Sequence, residues 1–136
     1  MIEHLEKFSG GPFRKSSESM YVSLNNRGIL LMNRKAYEAL SAPEAVVFYF
    51  DRKNSVIAVS PAHRSLKEAF PVAARDGHWY VRASSFCRHF RIRIERTEQF
   101  LYPKIDDKGL LRLDLTATVS AAQRRPRIRQ AQRSTQ

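Results

Sequence analysis

Apolar and polar positions alternate along this chain in short runs, and most runs are strand length rather than helix length. Tyr21-Val22-Ser23-Leu24 reads as a short strand. Asn25-Asn26-Arg27-Gly28 reads as a turn with a glycine available for positive φ, and Ile29-Leu30-Leu31-Met32 as a second, buried strand. Asn33 carries a side chain able to cap a helix over residues 34–40, in which Ala36, Ala39 and Leu40 fall at i, i+3 and i+4 on one apolar face. Ser41-Ala42-Pro43 ends that helix. A hairpin follows, Ala45 to Phe50 and Val56 to Val59 around Asp51-Arg52-Lys53-Asn54, rich in β-branched and aromatic residues and stopped by Pro61.

Residues 62–74 read as a linker with a turn of helix at Leu66 to Ala69. After Asp76-Gly77 a similar succession begins: a strand at His78 to Val81, Ser84 as a cap, and a short helix from Ser85 to Phe90 with Phe86 and Phe90 on one face. Glu98 to Ile105 then predicts a strand, Asp106-Asp107-Lys108-Gly109 a turn, and Leu110 to Leu115 a strand in which Leu111, Leu113 and Leu115 alternate with Arg112 and Asp114. The fold class that follows is mainly β with short helices: a small barrel built from two strand-helix-hairpin halves, pseudo-symmetric within one chain. Residues 1–19, with Gly10-Gly11-Pro12 and a serine-rich stretch, predict a flexible leader. Residues 20–118 predict a single β-rich domain with halves 20–61 and 78–118. Residues 119–136 predict a disordered basic tail.

Composition changes that picture in one respect. A hydrophobic fraction of 43% suffices for a packed core. No run approaches the roughly 20 apolar residues of a membrane-spanning helix. The N-terminus does not read as a signal peptide, and Cys87 is the single cysteine, which points to a reducing, cytoplasmic setting. Charge is the distinctive property: 24 Lys+Arg against 13 Asp+Glu give a net +11. Residues 121–136 contain Arg124, Arg125, Arg127, Arg129 and Arg133 with no acid, and still leave +6 on residues 1–120. A basic body with a basic arm fits a polyanionic partner, bound through counterion release.

Residues 82–96 concentrate that charge. Arg82, Arg88, Arg91, Arg93 and Arg96 share this stretch with one acid, Glu95. Arginine suits phosphate because its planar fork donates two parallel hydrogen bonds. Alternation in Arg91-Ile92-Arg93-Ile94 places Arg91 and Arg93 on one face of an extended segment; the plainer alternative is a solvated surface over buried Ile92 and Ile94. Trp79-Tyr80 with Phe86 and Phe90 would suit base stacking, although aromatics of this kind more commonly fill a core.

Residues 21–61 resemble the SpoVT/AbrB/MazE swapped-hairpin family. The resemblance rests on Asn26-Arg27-Gly28-Ile29-Leu30-Leu31-Met32-Asn33-Arg34-Lys35-Ala36-Tyr37-Glu38-Ala39-Leu40, followed by a hairpin over residues 46–61. Members of that family are mostly DNA-binding regulators or antitoxins whose dimers interleave two hairpins into one barrel. The resemblance implies Arg27, Arg34 and Lys35 as DNA contacts, and a monomer with an internal pseudo-dimer or a homodimer. The chain departs from the pattern at Asn33, where the family commonly has proline, and at Ile29, where it usually has a polar residue.

Catalytic, metal and cofactor chemistry are not expected. Cys87, His89 and His78 do not supply the four paired ligands of a zinc site. Asp106-Asp107 beside Lys108-Gly109 reads as turn chemistry. Ser84-Ser85 near His89 lacks an orienting acid. The expected function is nucleic-acid binding, DNA favoured over RNA, as in a transcriptional regulator, through Arg27, Arg34, Lys35, Arg82, Arg88, Arg91 and Arg93 and a tail carrying Arg124, Arg125, Arg127 and Arg129. The alternatives are a non-catalytic interaction subunit of a larger protein complex and an RNA- or ribosome-binding protein.

Overall fold

The structure, a computed structural model, describes residues 19–121; the expected leader, apart from residue 19, and the tail from residue 122 onward, with its five arginines, lie outside the described residues. Ten strands and two short helices follow one another among the described residues. They are β1 (Val22–Leu24), β2 (Ile29–Met32), α1 (Arg34–Ala39), β3 (Ala45–Asp51), β4 (Val56–Ala62), β5 (Phe70–Arg75), β6 (His78–Arg82), α2 (Ser84–Phe90), β7 (Glu98–Phe100), β8 (Lys104–Ile105), β9 (Leu111–Asp114) and β10 (Thr118–Ser120). The strands hydrogen-bond in the order β10-β7-β1-β2-β6-β5-β3-β4-β9-β8, every pairing with an assigned register being antiparallel, and the sheet curls into a half-barrel. The fold is therefore mainly β with short helices.

Alternation places the core. Val22, Leu24, Leu30, Met32, Val81 and Phe100 point to one side of the sheet and join Val46, Ile57, Val59, Leu111 and Leu113 in a single buried cluster. The helices close it: Ala36 and Leu40 are fully buried, while Phe86 packs on Phe48 with ring centroids 4.9 Å apart. Phe90 lies 5.3 Å from Phe86, and Trp79 stacks on Tyr37 at 4.5 Å, so these aromatics pack on one another rather than forming an open stacking platform.

Asn33 caps α1 as expected. Its Oδ1 accepts from the N–H of Ala36 and also from that of Tyr21, while its Nδ2 donates to the Ser19 carbonyl, tying the helix start to the chain entering β1. Ala39 faces solvent, and the helix instead buries Ala36 and Leu40, with Tyr37 packed at the core's edge. Ser84 is the first helical residue of α2 rather than its cap; Ala83 holds that position with no side-chain hydrogen bond.

The largest correction concerns residues 62–74. Pro61 does not stop β4, which continues to Ala62. Pairing with β9 ends at Val59, so Pro61 has a strand partner on one side only and its missing N–H is tolerated. Phe70–Arg75 is a strand, β5, in which Phe70 and Val72 pack on the core and Pro71 and Ala73 are exposed. It returns into β6 through Asp76-Gly77, both at positive φ, as the two-residue hairpin of type I′ requires. Residues 98–105 form two strands instead of one, broken at Leu101-Tyr102-Pro103. Residues 118–120 pair with β7, carrying order past the expected boundary at 118.

Candidate nucleic-acid interface

The β1–β2 turn and the α2 segment are locked together, and this contact assembles the candidate site. Asn25 Oδ1 accepts from the N–H groups of Arg27 and Ile29, and the Gly28 N–H donates to the Asn25 carbonyl, so the turn is held from within. The Gly28 carbonyl then accepts from the Ala83 N–H at 2.8 Å. Gly28 sits at φ +76°, and a Cβ there would lie 2.6 Å from Ser84 Cα. Only glycine lets the turn come this close.

The close approach brings Arg27 beside the end of α2. Arg91 is the C-cap of α2, at φ 58° and ψ 37°, and this left-handed residue redirects the chain so that the Ile92 N–H donates to the Cys87 carbonyl. Beyond it the expected alternation holds in its burial, though not as a strand: Arg91 and Arg93 are exposed, Ile92 and Ile94 half-buried. The result is a cleft of about 690 Å³ lined by Arg27, Arg88, Arg91 and Arg93, with Glu95 as its one acid. Among the described residues none of these four arginines forms an ion pair. Arg88 also stands in the last turn of α2, where the helix dipole favours a cation.

Four of the seven expected arginine and lysine positions in the domain thus share one cleft, and three do not. Arg34 lies on α1, paired with Glu38 at 3.7 Å and stacked over the Trp79 ring at 5.6 Å. Lys35 is exposed on the same helix, outside the cleft. Arg82 lines a separate groove on the open face of the sheet, which Arg27 also borders and to which Arg75 contributes. Arg75 had no signal in the sequence, because its place depends on β5.

The lining of the cleft also includes a thiol, that of Cys87. The residue is 7% exposed and burial pushes its thiol above the ordinary value, so at neutral pH it stays protonated. Among the described residues, no group of three or more His, Cys, Asp or Glu side chains could hold a metal ion, and no helix is long and apolar enough to cross a membrane. No family model, no curated protein and no solved structure matches this chain.

Proposed function

We propose that this chain is a nucleic-acid-binding protein, with duplex DNA as its main ligand, that holds the phosphate backbone through Arg27, Arg88, Arg91 and Arg93. The observation carrying this reading is the convergence of four exposed arginines, free of ion pairs among the described residues, on one cleft with a single carboxylate. A guanidinium without an acidic neighbour remains available for a bidentate phosphate contact, and a wall of like charge raises the local concentration of polyanions. Arg34 and Lys35, on the far helix, are peripheral to this mode, and the tail arginines 124, 125, 127 and 129 would add phosphate contacts beyond the cleft. A buried thiol as the chain's single cysteine suits the reducing cytoplasm.

The resemblance to swapped-hairpin regulators belongs to the same proposal. β1 of the first half pairs with β7 of the second, and β5 of the second pairs with β3 of the first. β2 and β6 pair with each other, Ile29 opposite Arg82 and Met32 opposite Trp79. The helices begin at Arg34 and Ser84, directly after those two strands. This interchange supports an internal two-fold relation that makes one chain the equivalent of an interleaved dimer, with β5 as the second half's first strand. The protein is then a monomer in solution, which light scattering measures directly.

The functional test is a salt titration of binding to duplex DNA, single-stranded DNA and structured RNA. Log affinity falls linearly with log salt, and replacing Arg91 and Arg93 by glutamine lowers the slope by about two on a duplex. An unchanged slope removes the cleft from the interface. Binding to structured RNA alone would instead favour the ribosome-type reading. Failure to bind any of the three would favour an interaction subunit, for which the exposed Leu101 and Tyr102 are the natural contact.

A further inference from the structure

The open face of the sheet carries a second concavity whose chemistry differs from that of the arginine cleft. Cross-strand rows define it: Ser23 lies opposite Leu31, Leu31 opposite Tyr80, and Tyr80 opposite Ala73, so these side chains share the face turned away from the core. Ile29 and Arg82 form the next row. The groove these rows line encloses about 500 Å³, within the range of small-molecule sites. Its floor is apolar, from Ile29, Leu31, Tyr80 and Pro71, and its rim carries Arg27, Arg75 and Arg82 with no acid in the lining. Among the described residues these arginines have no ion-pair partner.

We propose that this groove binds a small amphipathic anion: a compact aromatic or aliphatic body carrying one carboxylate, sulfonate or phosphate. The apolar floor is what separates this ligand from a nucleic acid. A phosphodiester backbone uses the rim but leaves Ile29 and Leu31 uncovered, whereas an amphipathic anion covers the floor and places its charge against a guanidinium in a partly desolvated setting. The strands beneath are fully paired, β1 with β2 and β7, β2 with β1 and β6, so the groove is a preformed surface and binding requires no opening of the sheet. The arginine-rich residues 121–136 carry the wrong sign to occupy it.

The test uses the full chain and 8-anilinonaphthalene-1-sulfonate, a bicyclic body with a single sulfonate whose emission rises in apolar surroundings. One saturable site is expected. Arg82→Gln weakens it about tenfold, by loss of a charged hydrogen-bond donor. Ala73→Glu abolishes it by placing a carboxylate in the groove; Ala73 is exposed, so this change leaves the core untouched. Decanoate displaces the probe competitively. The double variant Arg91→Gln/Arg93→Gln, confined to the other cleft, leaves probe affinity within twofold. Absence of saturable binding, an Arg82→Gln affinity equal to that of the parent, or an equal loss in the cleft variant each overturns the proposal. None of these readings depends on whether DNA binds.

Discussion

Gly28→Ala isolates the contact on which the arginine cleft depends. Two costs are separable. The first is conformational: an L-residue at φ +76° gives up about 1 kcal/mol relative to glycine. The second is steric. A Cβ at 2.6 Å from Ser84 Cα and 2.9 Å from its Cβ cannot be accommodated by rotating a flexible side chain, because the nearest obstacle is backbone. The turn must retreat from α2, stretching the 2.8 Å hydrogen bond from Ala83 to Gly28, and this displacement adds about 2 kcal/mol. Gly77 and Gly109 are internal controls, at φ +77° and +81° with nothing within 4 Å of an added Cβ, so alanine there costs only the first amount. Urea denaturation followed by circular dichroism measures all three. With a slope of about 1.5 kcal/mol per molar, the midpoint falls by about 2 M for Gly28→Ala and about 0.7 M for each control. Equal shifts for Gly28→Ala and Gly77→Ala would refute the claim that the turn and α2 are in forced contact.

Three further outcomes follow from the hydrogen-bonded and buried groups. Asn33→Ala removes two accepted bonds and one donated bond that join α1 to the entry of β1, and costs about 2 kcal/mol, seen as a drop in Tm of about 10 °C; Asn33→Asp, which keeps the acceptors, loses less. Asp106 accepts from the N–H groups of Leu110 and Lys108 and faces Arg112 at 3.4 Å, bonds that hold its carboxyl below the ordinary value of 3.8. Since the folded pKa is the lower one, its stabilisation is complete above the unfolded value and disappears as pH falls through the folded one. The stability gap between the parent and Asp106→Asn therefore narrows from pH 6 toward pH 2; a gap that widens in acid would contradict this. Cys87, buried with a raised pKa, reacts with iodoacetamide more than about a hundredfold slower in the native protein than in denaturant, and modification at the unfolded rate would show the cleft floor to be open.

Local chemistry was legible in the sequence wherever a few adjacent residues decide it. Asn33 announces its cap through an amide that reaches the next turn of backbone, and the turns at residues 25–28, 51–54 and 106–109 are marked by their Asn, Asp and Gly content. Asp76-Gly77 has the same turn chemistry, but with residues 62–74 read as a linker it marks only the start of a second succession, and the hairpin emerges from the structure. The strand before that turn was obscured by Pro71 and a run of alanines, whose strand character comes from pairing with β6 and β3 rather than from propensity. Pro61 misled in the opposite way, since a proline ends a strand only where both neighbours need its N–H. For the cleft, the alternation of Arg91 and Arg93 with Ile92 and Ile94 could be read directly. The arrival of Arg27 beside them could not, because it depends on Gly28 meeting Ser84 across fifty-five intervening residues. The resemblance implies Arg34 as a DNA contact; its pairing with Glu38 one helical turn on is local, whereas its place over the Trp79 ring is a matter of tertiary placement.

The insertion of β1 between β2 and β7 has a consequence for how the chain becomes a protein. Ser23 meets Gln99 across seventy-six positions of sequence, and β7 in turn takes its outer neighbour from residues 118–120. Until residues 98–100 have been synthesised, the outer edge of β1 has no strand to pair with. Closing so large a loop is slow compared with helix or hairpin formation. Maturation therefore waits for the ribosome to release nearly the whole domain, and any truncation before residue 98 leaves a nascent polypeptide with an open, apolar strand that invites aggregation.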